Sequence, residues 1–143
     1  DHDLVARAAA AAGFAMDFHK VAMRPGKPLM AGQRRGQILL GLPGNPVSSL
    51  VCGTVFLTPL IRAMQGLPAQ AMPREGMRLA AALGPNGPRE HYLRARITAD
   101  GVLPMPRQDS SLLSVLADAD ALIVQAPDDP GASPGEMVQI LRI

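Results

Sequence analysis

Residues 24–49 decide how this 143-residue chain folds, and they read Arg-Pro-Gly-Lys-Pro-Leu-Met-Ala-Gly-Gln-Arg-Arg-Gly-Gln-Ile-Leu-Leu-Gly-Leu-Pro-Gly-Asn-Pro-Val-Ser-Ser. Pro-Gly and Asn-Pro steps mark tight turns on both sides of a short apolar run at residues 38–42. Because the run is short and almost wholly apolar, it is typical of a strand buried on both faces. The order of strand, loop and helix start predicts an α/β unit.

The turn after this strand also predicts an anion site. Asn45 is a good N-cap and Pro46 suits the first helical position, so the amides of residues 47–49 should be unpaired and face outward, beside the hydroxyls of Ser48 and Ser49. Arg24 and Lys27 on the first Pro-Gly loop could add full charges to the same anion. The alternative is that both loops are ordinary turns of an α/β scaffold.

The charge distribution favours the anion site. Residues 18–74 contain no Asp or Glu, and residues 1–74 hold 8 basic and 3 acidic residues, whereas residues 75–143 hold 6 basic and 9 acidic ones. A run of one sign repels itself, so an anionic ligand is its natural explanation. A nucleic-acid polymer would also need stacking aromatic side chains, and the chain has only three Phe and one Tyr. A small phosphorylated ligand fits better.

Composition limits the other classes. No stretch has 18 uninterrupted apolar residues, so we predict no membrane span, and the Asp-His-Asp start lacks the features of a signal peptide. The single cysteine, Cys52, cannot form an internal disulfide and suits a buried position and a cytoplasmic protein. His2 and His19 have no metal-ligand spacing, and no Ser-His-Asp order indicates a hydrolase.

The first half of the chain predicts helices and strands in alternation. Residues 3–12 form a short helix, at whose start Asp3 is either the N-cap or a carboxylate for a divalent metal or substrate hydroxyl. Residues 14–21 and 29–31 predict strands, with a turn at residues 32–36. A helix should run from residue 46 to 65 with a kink at Pro59.

The second half predicts a small barrel or sandwich. Short strands are expected at residues 77–83, 91–98, 102–105, 121–126 and 137–143, and a helical turn or two at residues 110–116. Asp100-Gly101 between two strands is a hairpin signal. Residues 67–75, with two prolines, read as the linker between the halves.

These motifs resemble one known family. Arg-Pro-Gly-Lys-Pro at 24–28, followed by Gly-Leu-Pro-Gly-Asn-Pro-Val-Ser-Ser at 41–49, is similar to the molybdopterin molybdenumtransferases, the bacterial MoeA proteins and the E domain of gephyrin. The opening Asp-His-Asp-Leu-Val, His-Tyr-Leu-Arg at 91–94, Gln-Asp-Ser at 108–110 and Pro-Gly-Glu-Met-Val at 134–138 extend the likeness over the whole chain.

The resemblance implies a fold and an activity. The fold would be the C-terminal half of a three-layer, molybdopterin-binding α/β domain in residues 1–68, a linker at 69–75 and an all-β, barrel-like domain in 76–143. The activity would be insertion of molybdate into adenylated molybdopterin with release of AMP and with Mg²⁺ as cofactor. The family also implies a homodimer, and the molybdopterin adenylyltransferase is a further candidate partner.

The resemblance also assigns residues to roles. Asp3 would hold the metal, and Asp3, Arg24 and Lys27 would be catalytic. The substrate-binding positions would be Pro25, Gly26, Pro43, Gly44, Asn45, Pro46, Ser48, Ser49, Arg94 and Ser110. Arg24 stands where the family often has lysine, and Asp109 where it usually has glycine.

The family's N-terminal domains and the Gly-rich loop before Asp1 have no counterpart in the sequence, so we expect a fragment that is inactive by itself. The alternatives are a non-catalytic scaffold, an anion-binding fragment of the same family, or a molybdopterin adenylyltransferase. The region after Glu75 argues against the last, because that enzyme lacks a C-terminal barrel.

Overall fold

The computed structural model describes residues 4–109 and 113–143, which form two sheets joined by helices. The strands are β1 (Ala15–Phe18), β2 (Met23–Arg24), β3 (Met30–Arg34), β4 (Gln37–Gly41), β5 (Glu75–Arg78), β6 (Glu90–Thr98), β7 (Gly101–Pro104), β8 (Ala121–Gln125) and β9 (Met137–Arg142). The helices are α1 (Leu4–Ala11), α2 (Pro46–Cys52), α3 (Thr58–Met64) and α4 (Leu113–Ala117), with a π-helical turn at Gly53–Leu57.

The first sheet is small and antiparallel, with the strand order β1-β3-β4. The prediction of a strand buried on both faces at residues 38–42 is therefore wrong. Strand β4 pairs only with β3 in the described part of the chain, and its Ile38 is 54% exposed. The predicted turn at residues 32–36 is shorter, because β3 runs on to Arg34 and the chain reverses at Arg35 and Gly36, both with positive φ.

The helical segment Pro46–Met64 follows the first sheet. Asn45 caps it as predicted, since its Oδ1 accepts a hydrogen bond from the Ser48 amide at 3.0 Å. The expected irregularity lies one turn before Pro59, as the π turn, in which the Thr58 amide donates to the Gly53 carbonyl. The proline ring crowds the preceding turn, and the widened π turn gives it more room.

This segment also bears on the prediction that no membrane span is present. Its 19 residues have a hydropathy of 1.6, so it is long and apolar enough to cross a membrane by length and composition alone, and 22% of it is buried. A core helix of an α/β domain passes the same test, and Val51 and Cys52 lie fully buried in the core. Length and composition are therefore a weak indication of a span.

The second sheet closes into the predicted barrel. Its order is β2-β6-β8-β9-β5, and β7 pairs with β6 through the expected hairpin. Leu79, just after β5, bridges Val102 of β7, and the Ala80 amide donates to the Val102 carbonyl at 2.9 Å. The ring therefore closes between β5 and β7, around an apolar interior that includes Leu79, Ile123 and Ile140.

Strand β2 connects the two halves of the chain. It comes from the first half but pairs in parallel with β6, which places Arg24 beside His91. A second core lies at this junction and combines Met23, Leu29, Val51 and Cys52 with Tyr92, Leu122, Val124 and Leu141. The loop that starts at Arg24 is thus fixed on the outside of the barrel.

Candidate functional site

An open cavity of about 470 Å³ lies between the Arg24 loop and strand β6. Within the described ranges, four cationic side chains and one carboxylate line it. Its lining residues are Arg24, Pro25, Gly26, Lys27, Ser48, Arg89, His91, Arg94, Gln108 and Asp109. Because the positive charges outnumber the negative one, the cavity has a net positive potential that suits an anion.

The Arg24–Lys27 loop forms one wall of the cavity. Both its Arg24–Pro25 and Lys27–Pro28 peptide bonds are cis. Gly26 has a φ of +152°, and a Cβ at this position would lie 2.7 Å from Cγ of the buried Met23. The loop therefore requires glycine here, and it presents both cationic side chains at the surface, since Arg24 and Lys27 are exposed.

Arg94 lies at the opposite wall and is the least satisfied polar side chain in the described part of the protein. It is 1% exposed, and its Nε and Nη2 atoms have no hydrogen-bond partner. Burial lowers the pKa of its guanidinium, and the charge of Asp109 partly offsets this effect. Buried N–H groups without partners cost free energy, and the poorly compensated charge of Arg94 adds to the positive potential of the cavity that it lines.

Gln108 fixes the backbone beside Arg94. Its Oε1 accepts from the Arg94 amide at 2.9 Å, and its Nε2 donates to the carbonyls of Arg94 and Met105 at 2.8 and 2.9 Å. All three bonds are to backbone atoms. Gln108 therefore has a clear structural role, and it holds the segment that carries Asp109 against strand β6.

The predicted anion site at the helix start is wrong in its main feature. The Ser48 amide donates to Asn45 Oδ1, and the Ser49 amide donates to the Asn45 carbonyl at 2.8 Å. These two N–H groups are therefore not available to a ligand, because a well-capped helix satisfies them internally. Ser48 is the part of this turn that lines the cavity.

The structure brings together some of the predicted site residues. Arg24, Pro25, Gly26, Lys27, Ser48 and Arg94 share the cavity. The Pro43–Pro46 turn and Ser49 are not among the lining residues: Pro43 is buried, and Asn45 is occupied with capping. Asp3 and Ser110 lie outside the described residues.

Two family models match the chain. One, described as the MoeA C-terminal region (domain IV), matches residues 77–143, and the other, described as a probable molybdopterin binding domain, matches residues 1–63. Together they leave only residues 64–76 unmatched. The chain belongs to the MoeA family. It corresponds to a fragment of such a protein.

Curated MoeA relatives are considerably longer than this chain. Molybdopterin molybdenumtransferase 2 of Mycobacterium tuberculosis is 35% identical over 113 residues, covering 64% of this chain and 28% of the relative. The molybdopterin molybdenumtransferase of Nostoc sp. is 32% identical over 152 residues, covering all of this chain and 35% of the relative. The chain thus spans about a third of these relatives.

Solved structures share the MoeA fold. The molybdopterin biosynthesis MoeA protein of Pyrococcus horikoshii has a TM-score of 0.76 at 20% identity, over 90% of this chain and 32% of that one. A molybdenum cofactor biosynthesis protein of Pyrococcus furiosus has a TM-score of 0.77 at 18% identity, over all of this chain and 55% of that one. The mixed α/β part followed by the barrel is therefore the fold that the sequence predicted.

A divalent cation, which the resemblance to MoeA implied, does not fit the described part of the cavity. No group of three or more His, Cys, Asp or Glu side chains that could hold a metal occurs among the described residues. Asp109 faces four cationic side chains, which repel a cation. The described lining of the cavity therefore offers no site for Mg²⁺.

Sequence reasoning missed four contributors to this MoeA-family cavity: Arg89, His91, Gln108 and Asp109. The sequence did contain a signal, because Arg89 and His91 lie close to Arg94 in a single strand region. The pairing of β2 with β6 could not be seen, however, since it joins residues 67 positions apart.

Proposed function

We propose that this chain is the C-terminal part of a molybdopterin molybdenumtransferase, and that its cavity binds the anionic groups of molybdate and of adenylated molybdopterin. The observation that supports this proposal best is the buried Arg94, with two unpartnered donor nitrogens, at the wall of a cationic cavity. The whole-protein reaction is insertion of molybdate into adenylated molybdopterin with release of AMP.

The chemistry explains why such a cavity would be needed. Molybdate and the phosphate groups of the nucleotide are both anions, so they repel each other when they are brought together. Arg24, Lys27 and Arg94 would offset this repulsion and hold both anions in place. The described residues therefore supply binding and charge neutralisation, and the remaining groups of the reaction would come from other parts of the protein.

Several finer assignments belong to the same proposal. Residues 1–68 and 76–143 are the two domain parts, joined at 69–75, and Asp3 binds Mg²⁺. The protein is a cytoplasmic homodimer that can receive substrate from the adenylyltransferase. The apolar side chains left exposed on α1, β4 and α3, such as Val5, Ile38 and Met64, support a dimer because they lack cover in one copy.

Lys27→Ala tests this proposal. We expect it to weaken the binding of adenylated molybdopterin by about tenfold, because a charge-assisted hydrogen bond is lost, while the unfolding midpoint stays unchanged. The measurement is calorimetric titration of the ligand into the purified chain. Lys20→Ala is the matched control, since it removes the other lysine of the chain, which does not line the cavity.

Equal affinities of the wild type and both variants would remove Lys27 from the site.

Titration of the ligand into Asp3→Asn, with and without Mg²⁺, tests the metal assignment. Asparagine is an equally good N-cap, so a loss of the Mg²⁺ dependence of binding would indicate that Asp3 is a metal ligand and not a cap.

A further inference from the structure

His91 and Arg24 meet because of strand register. Arg24 ends β2 and His91 is the second residue of β6, and the parallel pairing of these strands sets the two residues side by side. Arg24 Nη2 lies 2.7 Å from His91 Nδ1. Arg24 is exposed at the cavity, whereas His91 is only 6% exposed, so the imidazole is the fixed member of the pair.

The contact determines the protonation of His91. A guanidinium can only donate, so Nδ1 must carry a lone pair, and the proton of the neutral ring lies on Nε2. The charged groups around the ring are Arg24 from β2, Arg89 and Arg94 from the β6 region, and Asp109 from the segment after β7. Burial and the three arginines lower the pKa of His91 to about 4.

A fixed acceptor also changes what Arg24 can do. A free arginine side chain has many rotamers and loses their entropy when it binds an anion. An arginine already held through one Nη2–H has lost part of that entropy, and its remaining N–H groups are available to a ligand. The neutral ring achieves this without neutralising the charge of Arg24, as a carboxylate would.

We propose that His91 is a positioning residue of the cavity: as a neutral hydrogen-bond acceptor, it orients the Arg24 guanidinium for anion binding. This inference rests on the proposed function, because it assumes that the cavity binds an anion. No sequence motif singled out His91 for this role.

A matched pair of variants tests the role. Asparagine and leucine are similar in size, but only asparagine offers an oxygen near the position of Nδ1. We expect His91→Leu to weaken molybdate binding by about tenfold in a calorimetric titration at pH 7, and His91→Asn to stay within about threefold of the wild type. Thermal unfolding of each variant checks that the fold is intact.

A double-mutant cycle separates the loss of Arg24 positioning from a general disruption of the cavity. In the Arg24→Met background, His91→Leu should change the molybdate affinity by less than about twofold, because the group that His91 positions is gone. Additive losses would overturn the inference, as would a His91→Leu variant that binds like the wild type, or a His91→Asn variant that binds as weakly as His91→Leu.

Nitrogen-15 NMR of the histidine rings gives a readout without any ligand. His91 should show the neutral Nε2–H tautomer from pH 7 down to pH 5, and Arg24→Met should raise its pKa from about 4, although burial keeps it below the ordinary value. A ring that is protonated at pH 7, or is unaffected by Arg24→Met, contradicts the inference. If molybdate does not bind the wild type, the proposed function fails together with this inference, whereas binding with an unchanged His91→Leu affinity contradicts the inference alone.

Discussion

At the scale of single residues, Arg94 shows most directly that the cavity lowers the stability of the fold. A guanidinium with 1% exposure and two unpartnered nitrogens would be replaced by an apolar side chain if stability alone mattered. It is partly balanced by the charge of Asp109, which lines the same cavity. An anionic ligand in the cavity would offset this loss of stability.

Arg94→Met should therefore separate stability from binding. Methionine fills a similar volume without a charge, so we expect the free energy of unfolding in urea to stay equal or to rise by up to about 2 kcal/mol. Molybdate binding should become at least about tenfold weaker. A variant that loses more than about 2 kcal/mol of stability would show that Arg94 is a structural residue.

Single residues also show which parts of the candidate site can be predicted from the sequence. Arg24 and Lys27 were predicted from motifs and charge, and Arg94 from the resemblance to the family; the three side chains share one cavity. His91 was missed, because its role comes from a strand pairing between distant segments and from burial, neither of which leaves a local pattern.

At the scale of secondary structure, the turn at residues 43–46 caps the helix that follows it. It does not leave the helix with the free backbone amides that were predicted to bind an anion. Asn45 satisfies the Ser48 and Ser49 amides through its side chain and its carbonyl. The sequence identified the cap and the helix after it, since Asn followed by Pro is a strong local signal. It overestimated the number of amides left for a ligand, because a cap and an anion compete for the same donors.

Asn45→Ala should cost about 1 kcal/mol of unfolding free energy, because the Ser48 amide loses its acceptor. Asn45→Asp is the control and should retain most of the stability, since its carboxylate accepts the same bond. Urea unfolding followed by circular dichroism measures both. An alanine variant as stable as the wild type would mean that solvent replaces the cap without cost.

Strand β4 illustrates the limit of periodicity. An apolar run of this length reads equally well as a fully buried strand and as the edge of a hairpin, because the two differ only in what packs against them. The sequence found the strand but not its exposed edge, where Ile38 lies.

At the scale of the whole molecule, the two halves share one core. Met23, Val51 and Cys52 of the first half pack with Tyr92 and Leu122 of the barrel. The sequence predicted the barrel from its short strands and turns, but it placed Arg24 in a loop of the first half and predicted no strand there. A two-residue strand that joins a distant sheet has no signature in its own sequence.

The shared core predicts cooperative unfolding, and the chain has a probe in each half. Cys52 and Tyr92 are its only cysteine and tyrosine, and both are buried. Burial raises the pKa of the Cys52 thiol to about 11, so native protein should react very slowly with thiol reagents at pH 8. Cys52 labelling and Tyr92 fluorescence should give the same urea midpoint. Two separate midpoints would show that the halves unfold independently.

Anomalous scattering at the molybdenum edge, measured on crystals of this chain soaked in molybdate, would show directly whether the cavity binds the anion. We expect an anomalous peak in the cavity, within hydrogen-bond distance of Arg94 or Lys27, and no such peak in Arg94→Met crystals. A peak only elsewhere, for example at the exposed Arg35 of the β3–β4 turn, or no peak in the wild type, would contradict the assignment of this cavity as the anion site.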